Sequence, residues 1–162
     1  MVFFIVSSLI LGGCGSSSQD NNEGFAIYLA ANGTSIDELA ILSHIDIADE
    51  PIIGLDDIVS YNWETHDIKL TEPAAERVDI LELIGKPFVV CVDRAPIYAG
   101  AFWSNVISRT YDGVVILHPL EEEYDSHTLR IQCGYPWESY FSGDDPRSDP
   151  AILTSLEKAG KL

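Results

Sequence analysis

The sequence predicts an α+β domain: a mostly antiparallel sheet, one main helix packed on it and a short helix at the C-terminal end. Three observations lead there. Short runs that are β-branched or alternate polar with apolar recur along the chain, residues 88–92 and 128–133 being the clearest. Short turns such as Asp93-Arg94-Ala95-Pro96 return the chain as hairpins. Residues 72–84 carry both the start and the stop signals of a helix.

In chain order, residues 24–31 read as a first strand ended by the turn Asn32-Gly33. Residues 35–47 suit a short helix followed by a strand, broken by Asp49-Glu50-Pro51. Residues 58–63 form a strand and 66–70 its hairpin partner, with Ile68 and Leu70 inward. The main helix, 72–84, has Thr71 as N-cap, Pro73 in its first turn, and Glu72 and Glu76 complementing the dipole. Ala74, Ala75, Val78 and Leu81 make its apolar stripe, and Glu76, Asp79 and Glu82 face water. Gly85 stops it and Pro87 prevents its continuation. Residues 88–92 are apolar on both faces and read as a central strand; 97–103 return beside them. Two more strands cover 114–117 and 128–133, joined by the acidic loop 121–125. In the last strand Leu129, Ile131 and Cys133 share one face, and Thr128, Arg130 and Gln132 the other. Asp149-Pro150 open the C-terminal helix, whose apolar side is Ile152, Leu153 and Leu156.

The N-terminal segment has a different character. Residues 2–11 are uncharged and, but for Ser7 and Ser8, apolar, shorter than the roughly 20 residues a spanning helix needs and of a length that fits the core of a signal peptide. Leu11-Gly12-Gly13-Cys14 follows and resembles the lipobox of prokaryotic lipoproteins. No Lys or Arg precedes the run, which departs from the usual basic start. The resemblance implies a signal peptide over 1–13, palmitate-type lipid on Cys14, a flexible tether over 14–24 and one folded domain over 25–162. It implies a protein anchored by lipid to the cell membrane or outer membrane, facing away from the cytoplasm. Gly15 after the Cys, rather than Asp, favours the outer membrane of a two-membrane bacterium. The competing reading is a buried N-terminal strand with an incidental Cys.

A hydrophobic content of 46% suits a globular domain. Nine Lys and Arg against 26 Asp and Glu give a net charge of −17. Such a surface repels nucleic acid, which excludes that class of partner, and a protein partner is expected to present a basic face. Cys91 and Cys133 remain once Cys14 is lipidated. They form either a disulfide in an exported setting or two buried thiols acting as small hydrophobes.

Residues 67–77 read Asp-Ile-Lys-Leu-Thr-Glu-Pro-Ala-Ala-Glu-Arg, and Gly85-Lys86-Pro87 leads into Phe88-Val89-Val90-Cys91-Val92-Asp93, then Ala95-Pro96-Ile97-Tyr98. This stretch resembles the periplasmic head of the protein-export membrane protein SecD. The resemblance implies a strand–helix–hairpin unit in an α+β sandwich that contacts other chains without transforming them. Phe102-Trp103-Ser104 on the return strand departs from the pattern, and the translocase's membrane domain has no counterpart here.

The histidines His44, His66, His118 and His127 form no HExxH pattern, and neither GxSxG nor a phosphate-binding glycine loop occurs. Ser104 has no recognisable base beside it. Glu121, Glu122, Glu123 and Asp125 read as solvated loop acids. Asp144, Asp145 and Asp149 have the right oxygens for calcium but not the spacing of an EF-hand. No catalytic set, metal or cofactor is expected. His66, beside Tyr61, Trp63 and Glu64, sits at a hairpin tip suited to a sugar or a peptide, or its aromatic neighbours simply pair across strands. Trp63, Trp103 and Trp137 are the candidate contacts, each of them otherwise core. The expected function is a non-catalytic binding or accessory module on the outer face of a membrane. The alternative is a small envelope hydrolase using His66 or His127 with an acid.

Overall fold

The computed structural model describes residues 23–31, 45–120 and 125–162. Cys14 and its tether up to residue 22, the Asn32-Gly33 turn, most of 35–47, His44 and Glu121, Glu122 and Glu123 lie outside the described residues.

The elements are β1 (Phe25–Leu29), β2 (Ile58–Asn62), β3 (Asp67–Leu70), α1 (Glu72–Arg77), α2 (Ile80–Leu83), β4 (Pro87–Val92), β5 (Ala95–Phe102), β6 (Tyr111–Leu117), β7 (Thr128–Tyr135) and α3 (Pro150–Lys158). All seven strands share one sheet in the order β1-β4-β5-β6-β7-β3-β2. Five of the pairings are antiparallel and β5–β6 is parallel. The fold is therefore α+β with a mostly antiparallel sheet, as the sequence predicts.

Local chemistry explains the joints. Val92 pairs with Ala95, leaving Asp93 and Arg94 as a two-residue turn with φ of 51° and 63°, the conformation that matches strand twist in a hairpin. A Cβ on Gly100 would lie 2.3 Å from the Val114 carbonyl oxygen, so only glycine permits the close parallel approach of β5 to β6.

Side-chain alternation gives the sheet two faces. Phe25, Val90, Phe102, Leu129 and Ile131 point into the main core, where Ile152 and Leu156 of α3 and Val78, Ile80 and Leu83 from the α1–α2 region join them. Val89 and Cys91 point the other way, against Ala26 and Tyr28, so β4 is buried on both faces as expected. The sheet curls around the main core: Phe25 on one edge strand and Tyr61 on the other meet edge-on, ring centroids 6.0 Å apart. Both edges are covered. The backbone of Ile27 bonds to Ile52 and Ile53, while Tyr61 N–H donates to Lys161 O (2.6 Å) in the C-terminal tail.

Two expectations are corrected. The single helix over 72–84 is two short helices. The Asp79 carboxylate accepts from Leu81 N–H (2.8 Å) and caps a new turn, and Val78 leaves helical geometry with ψ of 80°. The restart rotates the stripe, so Val78, Ile80 and Leu83 are buried and Leu81 is 70% exposed. The second correction concerns the cysteines. Cys91 and Cys133 are free, buried thiols in different clusters on opposite faces of the sheet, which excludes the disulfide geometry. The C-terminal helix forms as expected: Asp149 caps α3 through Ala151 N–H (2.8 Å), and Ile152 and Leu156 are buried.

The broken helix sets a measurable contrast. Ile80→Ala should cost about 2–5 kcal/mol in urea unfolding, whereas Leu81→Ala should stay within about 0.5 kcal/mol of the parent. The opposite order would restore the continuous helix.

Candidate functional site

The loop between β2 and β3 builds one wall of the site. Asn62 Oδ1 accepts from the N–H groups of Glu64 (2.9 Å) and Thr65 (3.1 Å), an Asx turn. His66 N–H donates to Asn62 O (2.8 Å), and Ile131 N–H of β7 donates to His66 O (3.0 Å). This pins His66 in left-handed backbone with φ of 56°, an uncommon state for a non-glycine residue. Next to it, Asp67 receives a two-pronged contact from Arg130, with Nε to Oδ1 at 2.6 Å and Nη2 to Oδ2 at 3.1 Å. Thr65 Oγ1 also donates to Asp67 (2.7 Å).

His66 is only 5% exposed. Its Nδ1 shares a hydrogen bond with the Tyr61 hydroxyl (2.9 Å), and the Trp63 ring meets it edge-on at 5.9 Å. Burial, followed by the nearby Arg147 guanidinium, holds its pKa below the usual histidine value, so the ring is neutral at neutral pH. Burial also raises the Tyr61 hydroxyl, which stays a phenol.

The opposite wall comes from the chain after β7. Gly134 has φ of 73°, and a Cβ there would lie 2.7 Å from Phe141 N and 2.9 Å from Trp137 O, so the turn requires glycine. Gln132 Nε2 donates to Gly134 O (2.7 Å) and Pro136 O (3.2 Å), fixing the loop that carries Trp137. Arg147 closes the floor. Its Nη1 donates to Ile131 O (2.9 Å), its Nε and Nη2 to the two oxygens of Asp145 (2.9 and 2.7 Å), and Nη2 also to Glu138 (3.3 Å). Those bonds from Arg147 bring the Asp145 pKa down to about 2. The Cys133 thiol donates to Asp145 Oδ1 (3.5 Å), and burial first of all pushes its pKa up to about 12, leaving no thiolate.

These walls enclose an open cleft of about 680 Å³, lined among others by Glu64, His66, Arg130, Gln132, Trp137 and Arg147. A second cleft of about 380 Å³ shares Arg130, Gln132, Pro136 and Trp137 with it. The two make one groove that runs past the Trp137 indole, which is 69% exposed.

Comparison with protein-family models, with curated proteins and with solved structures finds no match. The chemistry of the site therefore rests on its own geometry.

Of the residues the sequence singled out, His66 and Trp137 come together across the groove, and Trp63 supports His66 from behind. Trp103 is corrected: it is 1% exposed, stacked on Tyr111 at 5.2 Å and covered by the Arg109 guanidinium at 5.3 Å, so it is core rather than a contact. His118 and His127 line a separate cleft with Glu76 and Asp79. Asp125 pairs with Lys69 at 3.2 Å. Two of the three acids weighed for calcium have structural work, Asp145 on Arg147 and Asp149 as a helix cap. Among the described residues no group of three or more His, Cys, Asp or Glu is placed to hold a metal. Sequence reasoning missed Arg147, Gln132 and Glu138. One signal was present: Asp145-Pro146 and Asp149-Pro150 are successive turn starts, and they bracket the arginine that needs buried acceptors.

The lowered pKa values of His66 and Asp145 set the sign of a pH dependence of stability. With the folded pKa of His66 lowered from 6.5, the unfolded chain binds a proton the folded chain does not. Stability should fall as pH drops below about 6.5 and stop falling below the folded value. Asp145, lowered from 3.8 to about 2, contributes stability above about 3.8 that is lost as pH falls toward 2. Urea unfolding across this range should show a shallower first limb in His66→Gln and a shallower second limb in Asp145→Asn. Limbs equal to those of the parent would contradict the assignments.

Proposed function

We propose that the chain is a lipid-anchored, non-catalytic binding module of the cell envelope, with its ligand seated in the groove past Trp137. The observation that carries this reading is how the reactive groups of the groove and of the core behind it are occupied. Cys133 is held as a thiol at a pKa of about 12, Tyr61 is held as a phenol, and Arg130 and Arg147 already bond to Asp67 and Asp145. Left over is an exposed indole on a fixed loop, the kind of group that contacts rather than transforms a ligand. The Leu11-Gly12-Gly13-Cys14 site supports the anchor. The net charge of −17 supports a basic face on any protein partner. The order β3, α1, α2, β4, β5 supports the likeness of residues 67–98 to the SecD head.

One observation favours the second reading, a small envelope hydrolase. A neutral His66 lines the same cleft as Glu64 and Glu138, and a base beside an acid is the minimum such chemistry needs.

Two experiments bear on these readings. A palmitate analogue fed to cells should label the parent chain and not Cys14→Ala; equal labelling removes the anchor. The purified chain should turn over none of a panel of esters, peptides, glycans and phosphoesters. Turnover lost in His66→Ala or His127→Ala, with the fold intact, would replace the binding module by the hydrolase.

A further inference from the structure

We infer that the groove across Trp137 takes a neutral saccharide chain, with the indole as its stacking platform; this rests on the binding-module reading above. A single exposed apolar residue is ordinary on a protein surface. Trp137 differs because two clefts meet beneath it and share Arg130, Gln132 and Pro136. Its loop is fixed by the required Gly134, by both Gln132 hydrogen bonds and by the Glu138–Arg147 contact. Trp137 itself is 69% exposed. A large planar group is thus held rigidly in water at the middle of a groove, a preorganised contact surface.

The chemistry around it selects the ligand. Each guanidinium in the cleft is matched by a carboxylate of this chain: Arg130 by Asp67, and Arg147 by Asp145 and Glu138. No uncompensated positive charge is left to recognise a phosphate or carboxylate ligand, and the net charge of −17 repels polyanions. What remains is neutral hydrogen-bonding capacity. Gln132 spends its Nε2 on the loop and keeps Oε1 as an acceptor. His66 spends Nδ1 on Tyr61 and keeps Nε2. Glu64 adds acceptor oxygens at the margin. A pyranose matches this set, since its C–H face packs on an indole while its hydroxyls both donate and accept. A groove that continues on both sides of the platform suits a chain of several sugars.

The test uses the full chain, solubilised in a detergent without a sugar headgroup. The probes are neutral disaccharides, tetrasaccharides and hexasaccharides of the chito-, cello- and malto- series, read by tryptophan fluorescence and titration calorimetry. The expected result is binding to at least one series, tighter for the hexasaccharide than for the disaccharide. Trp137→Ala should weaken it at least tenfold while far-ultraviolet dichroism and melting stay at parent values. Trp137→Phe should retain part of the affinity, and Leu81→Ala, outside the groove, should retain all of it. Absence of binding across all three series, or binding that Trp137→Ala leaves unchanged, overturns the proposal. Binding of a Lys-rich peptide that Trp137→Ala abolishes, without saccharide binding, overturns the glycan assignment and leaves the binding module standing. Cleavage of a bound oligosaccharide that stops in His66→Ala overturns the binding module itself.

Discussion

A guanidinium removed from water must be given acceptors for its N–H groups, because the uncompensated charge would cost several kcal/mol. Arg147 meets that demand by drawing three separate segments together: the Ile131 carbonyl in β7, Asp145 just ahead of its own turn, and Glu138 in the loop beyond Trp137. The end of the molecule that carries the groove is organised around this one side chain. It lowers the Asp145 pKa, helps keep His66 neutral from across the cleft, and ties down the loop that presents the indole. Cys133 sits against the same carboxylate, so its thiol belongs to this arrangement rather than to any redox pairing.

The sheet positions that end. Seven strands leave two edges, and an open edge invites pairing with another chain. Here curling and covering act together. Phe25 and Tyr61 close the concave side around the main core. The C-terminal tail bonds along β2, where the Lys161 ammonium also donates to Ile58 O (2.7 Å). Part of the convex face is covered by the cluster around Trp103, whose aromatic stacking removes it from solvent. The polar side of β7 is left facing the groove, which places Arg130 and Gln132 beside Trp137.

Much of the hydrogen-bonding and ionic chemistry near the groove is directed inward. Asp67, Asp145, Gln132 and the left-handed His66 serve to hold backbone and charge in place. A site of this kind gains its selectivity from shape and from the few atoms left unspent, since rigid elements keep those atoms where they are.

The sequence by itself determined the element types and the faces of the strands. Alternation in 128–133 is a local property, and it correctly divides Leu129, Ile131 and Cys133 from Arg130 and Gln132. The doubly buried strand at 88–92, a turn after it and the Asp149 cap were legible for the same reason, because each depends on neighbours within a few residues; the turn is tighter than the four residues 93–96 read from sequence, since Ala95 already pairs with Val92. The break at Asp79 was not read, although its cause is local: a carboxylate that caps Leu81 competes with a continuous helix. Tertiary structure decided the rest. Strand order puts Cys91 and Cys133 on opposite faces of the sheet and buries Trp103 while exposing Trp137, although both were equal candidates in the sequence. It also brings Arg147 to Glu138, and His66 to a loop far along the chain, because the hydrogen bonds that assemble the groove join residues whose separation no periodicity encodes.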